Sequence, residues 1–283
     1  MLNAAVMIGL LAAEYSASVE AFRHQYEESL RAPNGWLSVA GLFWLHEGVN
    51  RAGSDPQSDI VLPAPAPTFA ATFEFHGGKV TLHPAPGVHL LINGKSPTGQ
   101  PIRPDADNIT LGDLSLTVIV RGPESATKTG LRLRDPNSAA RRNFSGLHWY
   151  PVDQHFRIEA RWVPYNPPHK VSFTNVIGMT EEDTSPGYAE FQFAGKTWRL
   201  EPTEEDGRLF YVFRDQTAGK ETYPSGRFLK SDLPKDGHVI LDFNQAYNPP
   251  CAFTSFATCP LPPRQNFIAA PIPAGEKKYS EHH

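Results

Sequence analysis

The sequence predicts a mainly β protein in which two antiparallel β units follow one N-terminal helix. Three observations support this fold class. From Gly48 onward, short apolar-rich runs recur at about ten-residue spacing, and turn signals such as Asp-Pro, His-Gly-Gly and Asn-Gly separate them. This spacing is typical of an antiparallel sandwich or barrel and unlike the alternation of strands and long helices in βαβ folds. A helical period is found only near the N-terminus.

Composition limits the classes of function that the chain can serve. The 283 residues are 40% apolar and include 17 Phe, 9 Tyr and 5 Trp, which is ample for a packed core. A net charge of −4 without a long Lys/Arg run argues against a nucleic-acid partner. No apolar stretch reaches the roughly 18 residues that a membrane span needs. We therefore expect a soluble protein with no nucleic-acid partner and no membrane span.

Residues 1–47 are predicted to form a helix and an apolar lead segment. Between residues 15 and 31, Phe22, Tyr26 and Leu30 recur at a spacing of four and form one apolar face. The segment Trp36–Leu45 is strongly apolar, and its pattern fits either a strand or a short buried helix. The opposite face of the predicted helix carries charged side chains: Glu20, Arg23, Glu27 and Glu28.

The first residues leave two interpretations open. Leu2–Ala13 has about the length of the apolar core of a signal peptide, but the positive start is missing and the cleavage signal within residues 1–18 is weak. The alternative is a helix that begins before Glu14. We therefore predict a cytoplasmic location, with a periplasmic or secreted one as the alternative.

The two β units are predicted at residues 48–134 and 147–279, with a polar linker at 135–146. In the first unit the predicted strands are 60–62, 70–75, 79–83, 89–92, 114–120 and 130–134. In the second unit they are 156–163, 171–177, 188–193, 196–201, 208–214, 228–229 and 239–243.

The first unit resembles a forkhead-associated (FHA) sandwich. The resemblance is carried by Gly53–Leu62, Leu91–Lys95 and Asp107–Leu116. That family holds phosphothreonine with an Arg directly after the glycine and with a later Ser-Arg-x-x-His. Here Ser54 stands in place of the Arg, and residues 69–72 replace the second motif. Because the guanidinium supplies the charge-assisted bonds to phosphate, the resemblance implies the fold without phosphopeptide binding.

A second resemblance covers nearly the whole chain. The sequence is similar to a mainly bacterial family known as domain of unknown function 1684. Kinship with this family implies no particular reaction. The similar segments are residues 35–45, 213–223, 226–229, 242–263 and 274–277.

The Pro-rich segment Asp242–Pro263 is the first candidate site. Its prolines exclude a helix, and ordered irregular loops often carry binding residues. On a strand Asp242 and Asn244 would point to the same face, and Tyr247 and Asn248 follow in the turn. A carboxylate and amides so arranged suit acid–base work with Asp242 as the catalytic group. The other interpretation is that these side chains only cap the loop.

A second polar group precedes this loop. Glu221 and Tyr223 would share a strand face, and Arg227 follows the Pro-Ser-Gly turn, with Arg214 nearby in the sequence. An Arg beside a carboxylate and a phenol suits an anionic ligand, with Arg227 as the clamp and Glu221 as a second catalytic acid or base. A surface ion-pair network is the alternative.

Cys251 and Cys259 are predicted to form a disulfide or to be structural thiols. A catalytic Cys with His148, His155 or His169 as its base comes second. A metal site comes last, because seven residues between the cysteines do not match zinc spacing. We therefore predict neither a metal nor a cofactor.

Together these patterns predict that the second β unit binds a small polar or anionic molecule, with hydrolytic or isomerising acid–base chemistry. Asn244, Tyr247 and Asn248 would orient the ligand. The alternative is a module that binds a protein partner through the Pro-rich segment, which would need an exposed apolar patch around Phe253, Phe256 and Leu261.

Overall fold

The computed structural model describes the backbone of residues 4–279, with the side chains of all of them except 4–11 and 124. The predicted fold class is confirmed, because the protein is mainly β, has several antiparallel sheets and carries one long N-terminal helix. No helix among the described residues is long and apolar enough to cross a membrane. The chain divides into two compact units. One, here the inserted unit, is Arg31–Asn143, and the other, here the C-terminal unit, joins Met1–Leu30 to Phe144–His283.

The inserted unit is a sandwich of two sheets. One sheet has the order β1-β9-β8-β7-β6, and the other has the order β3-β2-β4-β5. Phe73 and Leu82 from the second sheet pack with Leu116, Val118 and Leu131 from the first in a shared buried core. The elements are β1 (Val39–Trp44), β2 (Gly48–Gly53), β3 (Ile60–Val61), β4 (Ala71–His76), β5 (Lys79–Pro84), β6 (Leu90–Ile92), β7 (Asn108–Leu111), β8 (Leu114–Arg121), β9 (Lys128–Arg134) and the short helix α2 (Ala139–Asn143).

The apolar lead segment resolves into both of its predicted alternatives. Trp36–Ser38 is one turn of 3₁₀ helix, and β1 follows it directly. β1 then pairs with β9 at the edge of the larger sheet. The segment therefore belongs to the inserted unit, whereas the helix before it belongs to the other unit.

The C-terminal unit contains the long helix α1 (Ala4–Arg31) up to Leu30 and two sheets. The sheets have the orders β12-β11-β10-β16 and β13-β14-β15. They share one core, in which Phe191, Tyr211, Leu229, Leu241 and Phe243 are buried. The strands are β10 (Arg157–Thr174), β11 (Thr180–Phe193), β12 (Lys196–Leu200), β13 (Thr203–Glu205), β14 (Arg208–Phe213), β15 (Arg227–Ser231) and β16 (His238–Asp242).

β10 corrects the prediction of two separate strands at 156–163 and 171–177. It is one strand that runs through Pro164, Pro167 and Pro168 and pairs with β11 on both sides of them. The register moves from Pro164 opposite Gly187 to His169 opposite Ser185, so residues 165–168 face a single residue of β11. Proline cannot donate to a sheet, and a bulge of this kind is where a strand tolerates it.

Helix α1 is longer than the predicted 15–31 and carries a different buried face. Val19 and Leu30 are buried as apolar residues should be, but Arg23 is also buried, at 6% exposure. We predicted Arg23 on the solvent face from its charge. Its guanidinium is instead covered by the C-terminal unit, where it donates to the carbonyl of Asn244 and lies over the ring of Trp149.

Candidate functional site

The predicted strand that carries Asp242 and Asn244 ends at the first of them. β16 stops at Asp242, and Phe243–Gln245 forms a 3₁₀ turn whose first amide hydrogens are capped by the Asp242 side chain. Asn244 donates through its amide to Asp242 Oδ1 at 3.1 Å. The prediction that both side chains share a strand face is therefore wrong, because the chain turns at this point and the carboxylate caps the turn.

Helix α1 is the main partner of this turn. The Tyr15 hydroxyl donates to Asp242 Oδ1 at 2.9 Å and accepts from the Asn244 amide at 2.9 Å. Burial, followed by the hydrogen bond to Asp242, raises the pKa of Tyr15 well above its usual value, so the phenol stays a donor at neutral pH. Asn244 is fully buried and Asp242 is 8% exposed. The predicted catalytic residue Asp242 and the predicted ligand residue Asn244 thus attach α1 to the sheet.

Asn248 and Tyr247 extend the same interface. Asn248 donates from its backbone and its side chain to the carboxylate of Glu276, both at 2.7 Å. Its carbonyl accepts from the Tyr26 hydroxyl at 2.9 Å, and the ring of Tyr247 packs on Tyr26 at 4.9 Å. Glu276 is fully buried, and this burial raises its pKa to about 8. The prediction did not include Glu276, whose place in the core is visible only in three dimensions.

Arg227 has a different set of partners from the ones predicted. We predicted that it clamps the negative charge of a ligand, but its guanidinium is buried and donates to Asp215 at 2.8 Å. It also donates to the carbonyls of Ile272, Ala274 and Glu276. A guanidinium with these acceptors holds the segment around residues 272–276 to β15.

Glu221 and Tyr223 of the second predicted polar group do not lie on a strand. Residues 214–226 form a loop of turns between β14 and β15, in which the Thr217 carbonyl accepts from the amides of residues 220, 221 and 222. Glu221 is exposed, Tyr223 donates to the carbonyl of Cys251 at 3.1 Å, and Arg214 is exposed over the ring of Phe267. The shared strand face is therefore wrong, because turns replace the strand.

Cys251 and Cys259 are joined in a disulfide, in keeping with the first of the predicted alternatives. The loop that it closes lies next to the tip of the β10–β11 hairpin, where the Val176 amide donates to the Cys259 carbonyl at 3.0 Å. The bond thus fixes the part of the Pro-rich segment on which this hairpin rests.

Substituting both cysteines with Ser is expected to lower the free energy of unfolding by about 2–3 kcal/mol, the chain-entropy value for so short a loop. Urea unfolding of the oxidised protein and of the double variant measures this difference. The wild type with reductant is the control and should match the variant. Equal stability of the oxidised protein and the variant would contradict the prediction.

A third cluster lies at the bulge of β10, where we predicted no site beyond naming His169 as a base for a cysteine. His169 Nε2 lies 2.6 Å from Glu201 Oε1, and the Gln265 amide donates to the other carboxylate oxygen at 2.8 Å. The side chain of His169 is 48% exposed, whereas that of Glu201 is 9% exposed. A buried carboxylate thus orients a histidine that is open to solvent.

Two tyrosines cover one side of this histidine. The ring of Tyr165 lies 3.9 Å from that of His169, and Tyr188 lies 5.7 Å from Tyr165. Burial, with the charge of Glu201 next, raises the pKa of Tyr165 to about 12. The positions of the two tyrosines follow from the local backbone. Tyr165 lies in the bulge of β10. Gly187, which precedes Tyr188, lets the two strands approach closely, because a Cβ at this position would lie 2.5 Å from the carbonyl oxygen of Val163.

The described residues contain no group of three or more side chains of the types that could hold a metal ion.

Residues 142–277 match the model of a family described as "Protein of unknown function (DUF1684)". The resemblance found in the sequence is confirmed over those residues, whereas the likeness to FHA domains stays a prediction. The sequence matches no curated protein. Among solved structures, an uncharacterized protein of Haloarcula marismortui is 31% identical, with 50% of this chain and 81% of that chain covered and a TM-score of 0.42.

Proposed function

Taking residues 142–277 as a domain of the DUF1684 family, we propose that the C-terminal unit binds a small polar molecule beside His169 and transfers a proton to or from it. One observation carries the proposal, namely the 2.6 Å contact between exposed His169 and buried Glu201. If the pair of His169 and Glu201 were an ordinary surface ion pair, it would add little to the stability of the fold. This carboxylate is instead fixed by Gln265, which costs side-chain freedom and suits a positioned catalytic group.

The geometry assigns a separate role to each residue of the cluster. The Nε2–H group of His169 donates a hydrogen bond to Glu201, so Nδ1 keeps its lone pair free for the ligand. When Nδ1 takes a proton from the ligand, the carboxylate stabilises the resulting imidazolium. Tyr165 keeps its own proton at neutral pH and donates a hydrogen bond to the Glu201 carboxylate, which it helps to hold in place. One proton transfer of this kind serves a hydrolysis or an isomerisation.

The surroundings favour a polar ligand. Arg161 and Arg199 each have side chains 62% exposed, and both pair with the single carboxylate of Glu190. Arg199 also lies 4.8 Å from the ring centre of Tyr188, next to Tyr165. The positive charges of these two arginines are balanced by Glu190 and Glu201, and the exposed guanidiniums offer hydrogen-bond donors to a polar ligand.

The polar residues near Asp242 support the architectural interpretation, and we move the acid–base chemistry from Asp242 and Glu221 to His169. The protein-binding alternative gains no support, because Phe253 is buried while Phe256 and Leu261 are only partly exposed. The flat apolar patch that it requires is thus missing at the predicted place.

The test is a screen of small carboxylates, inorganic phosphate, phosphate monoesters and sugars against the full chain, with NMR of the histidine ring protons as the readout. We expect at least one of these compounds to shift the His169 resonances. We expect Glu201→Gln to weaken the binding of that compound by about tenfold, which corresponds to the loss of one hydrogen bond to a charged group.

His238→Gln is the matched control, because its side chain is 52% exposed and the carboxylate that it pairs with at 4.0 Å belongs to the exposed Glu159. The control should bind like wild type. Binding that is unchanged in His169→Gln would place the ligand elsewhere. A screen in which nothing shifts His169 would also reject the proposal.

A further inference from the structure

Two arginines of the inserted unit lie on the same face of its larger sheet. Arg132 and Arg134 are two residues apart on β9, so their side chains leave the strand in the same direction. Arg132 is 6% exposed. The other face of the strand carries Leu131 and Leu133, which belong to the buried core of the sandwich.

These arginines form no ion pair with a described residue, and the charge of Asp105 offsets only part of the effect of burial on Arg132. Among the described residues, neither guanidinium makes a hydrogen bond or an ion pair, and the Nε atoms of both are buried without a partner. The guanidinium of Arg132 lies over the ring of Trp36, at 5.0 Å. Burial, followed by the charges of Arg121 and Arg134, lowers the pKa of Arg132 to about 10. Burial of an unpaired charge is unfavourable, so the arrangement calls for an anion.

Hydroxyl groups flank the arginine pair. Thr117 of β8 stands directly opposite Arg132, and Ser115 stands opposite Arg134. Residues that pair directly in this way have their side chains on the same face and close together. Two guanidiniums with two hydroxyls form the donor set that proteins use for the oxygen atoms of phosphate and carboxylate groups.

The same face continues with positive charge. Lys128 of β9 pairs with Arg121 of β8 two steps further along the sheet. Asp105 pairs with Arg121 at 3.3 Å and forms no ion pair with the two arginines of β9.

The terminal nitrogens of Arg132 and Arg134 are the open part of the site. In each of these two side chains, Nε is buried without a hydrogen-bond partner, whereas the two terminal nitrogens are not in that state. Since the terminal nitrogens also make no hydrogen bond to described residues, they are the atoms that reach the surface and can meet a ligand. Trp36 covers the side of Arg132 and fixes its guanidinium in place.

We propose that Arg132 and Arg134, with Ser115 and Thr117, bind an oxyanion of a small molecule on this face of the inserted unit. The site is independent of the chemistry proposed at His169 and lies in a different unit. Its donors suit both a phosphate and a carboxylate, and the test distinguishes these sources.

Calorimetric titration of the full chain with inorganic phosphate, glycerol phosphate and succinate is the experiment. We expect at least one of them to bind, with an affinity that falls as the salt concentration rises. Tighter binding of the two phosphates identifies a phosphoryl ligand, and tighter binding of succinate identifies a carboxylate. Arg134→Gln should weaken the binding of the tightest of the three compounds by about tenfold or more.

Arg51→Gln is the matched control, because Arg51 is an exposed arginine of the same unit and its removal changes the net charge equally. It should bind like wild type. An equal loss in Arg51→Gln, or binding that persists in Arg134→Gln, would overturn the site. Failure of all three compounds to bind would overturn it as well.

The thermal midpoint of Arg132→Met separates a binding role from a structural one. If Arg132 awaits an anion, the apolar side chain removes an unpaired buried charge, and the variant should melt at a higher temperature than wild type without anions. It should also lose the rise in midpoint that the bound anion gives to wild type. A lower midpoint than that of wild type would show that Arg132 serves the fold through Trp36, and the proposal would fail.

Discussion

Substituting Arg227 with Met is expected to lower the free energy of unfolding by about 3–5 kcal/mol, the cost of breaking a buried ion pair. Arg227 is 1% exposed and Asp215 7% exposed, so the substitution would leave the carboxylate buried without its charge partner. It would also free the carbonyls of Ile272, Ala274 and Glu276. Urea unfolding followed by tryptophan fluorescence measures the change.

Two variants test whether the pair is the cause. Arg161→Met removes an arginine that is 62% exposed and should change stability by less than about 1 kcal/mol. Asp215→Asn combined with Arg227→Met should be more stable than Arg227→Met alone, because the remaining group is then neutral. If the double variant is less stable than the single one, the unpaired charge is not the source of the loss.

The second large effect concerns Glu276 and pH. Its pKa is raised from 4.5 to about 8 in the folded protein. Below pH 4.5 the carboxyl is protonated in both the folded and the unfolded protein, so no charge has to be buried on folding. Between pH 4.5 and 8 the unfolded chain ionises while the folded protein keeps its proton, so stability falls as pH rises, by roughly 3–5 kcal/mol in total.

Glu276→Gln should remove this contribution. The amide stays neutral at every pH, so the variant should lack the decline between pH 4.5 and 8. The measurement is urea unfolding at several pH values across that window. Glu204→Gln changes an exposed carboxylate and is the control, whose pH profile should run parallel to that of wild type. Parallel profiles for wild type and Glu276→Gln would contradict the assignment.

The strands of both units could be predicted because alternation and turn residues are local signals. Phe191 and Phe193 alternate with polar neighbours, and β11 contains them as expected. The prolines of β10 misled the prediction, because a bulge lets a strand continue through residues that normally end it. The position of Arg23 failed for a related reason, since its charge indicates solvent unless the partner that covers it is known.

The candidate sites were less predictable than the fold. His169 and Glu201 are 32 residues apart, and no motif connects them, so only the pairing of the strands brings them together. Arg132 and Arg134 resemble ordinary surface charges in a strand, and their burial depends on the packing of the sheet. Asp242 was found by its place beside a Pro-rich loop, but the pattern does not distinguish a ligand site from a cap.

The division of the C-terminal unit between two distant parts of the chain has a consequence for the order of events on the ribosome. Helix α1 emerges first, yet Asp242, Asn244 and Asn248, which receive it, are made more than 200 residues later. The inserted unit is continuous and can complete its sandwich in the meantime. We infer that Val19 and Leu30 of α1 stay exposed until the later residues are made. At this stage a chaperone that covers apolar helices would raise the yield of folded protein.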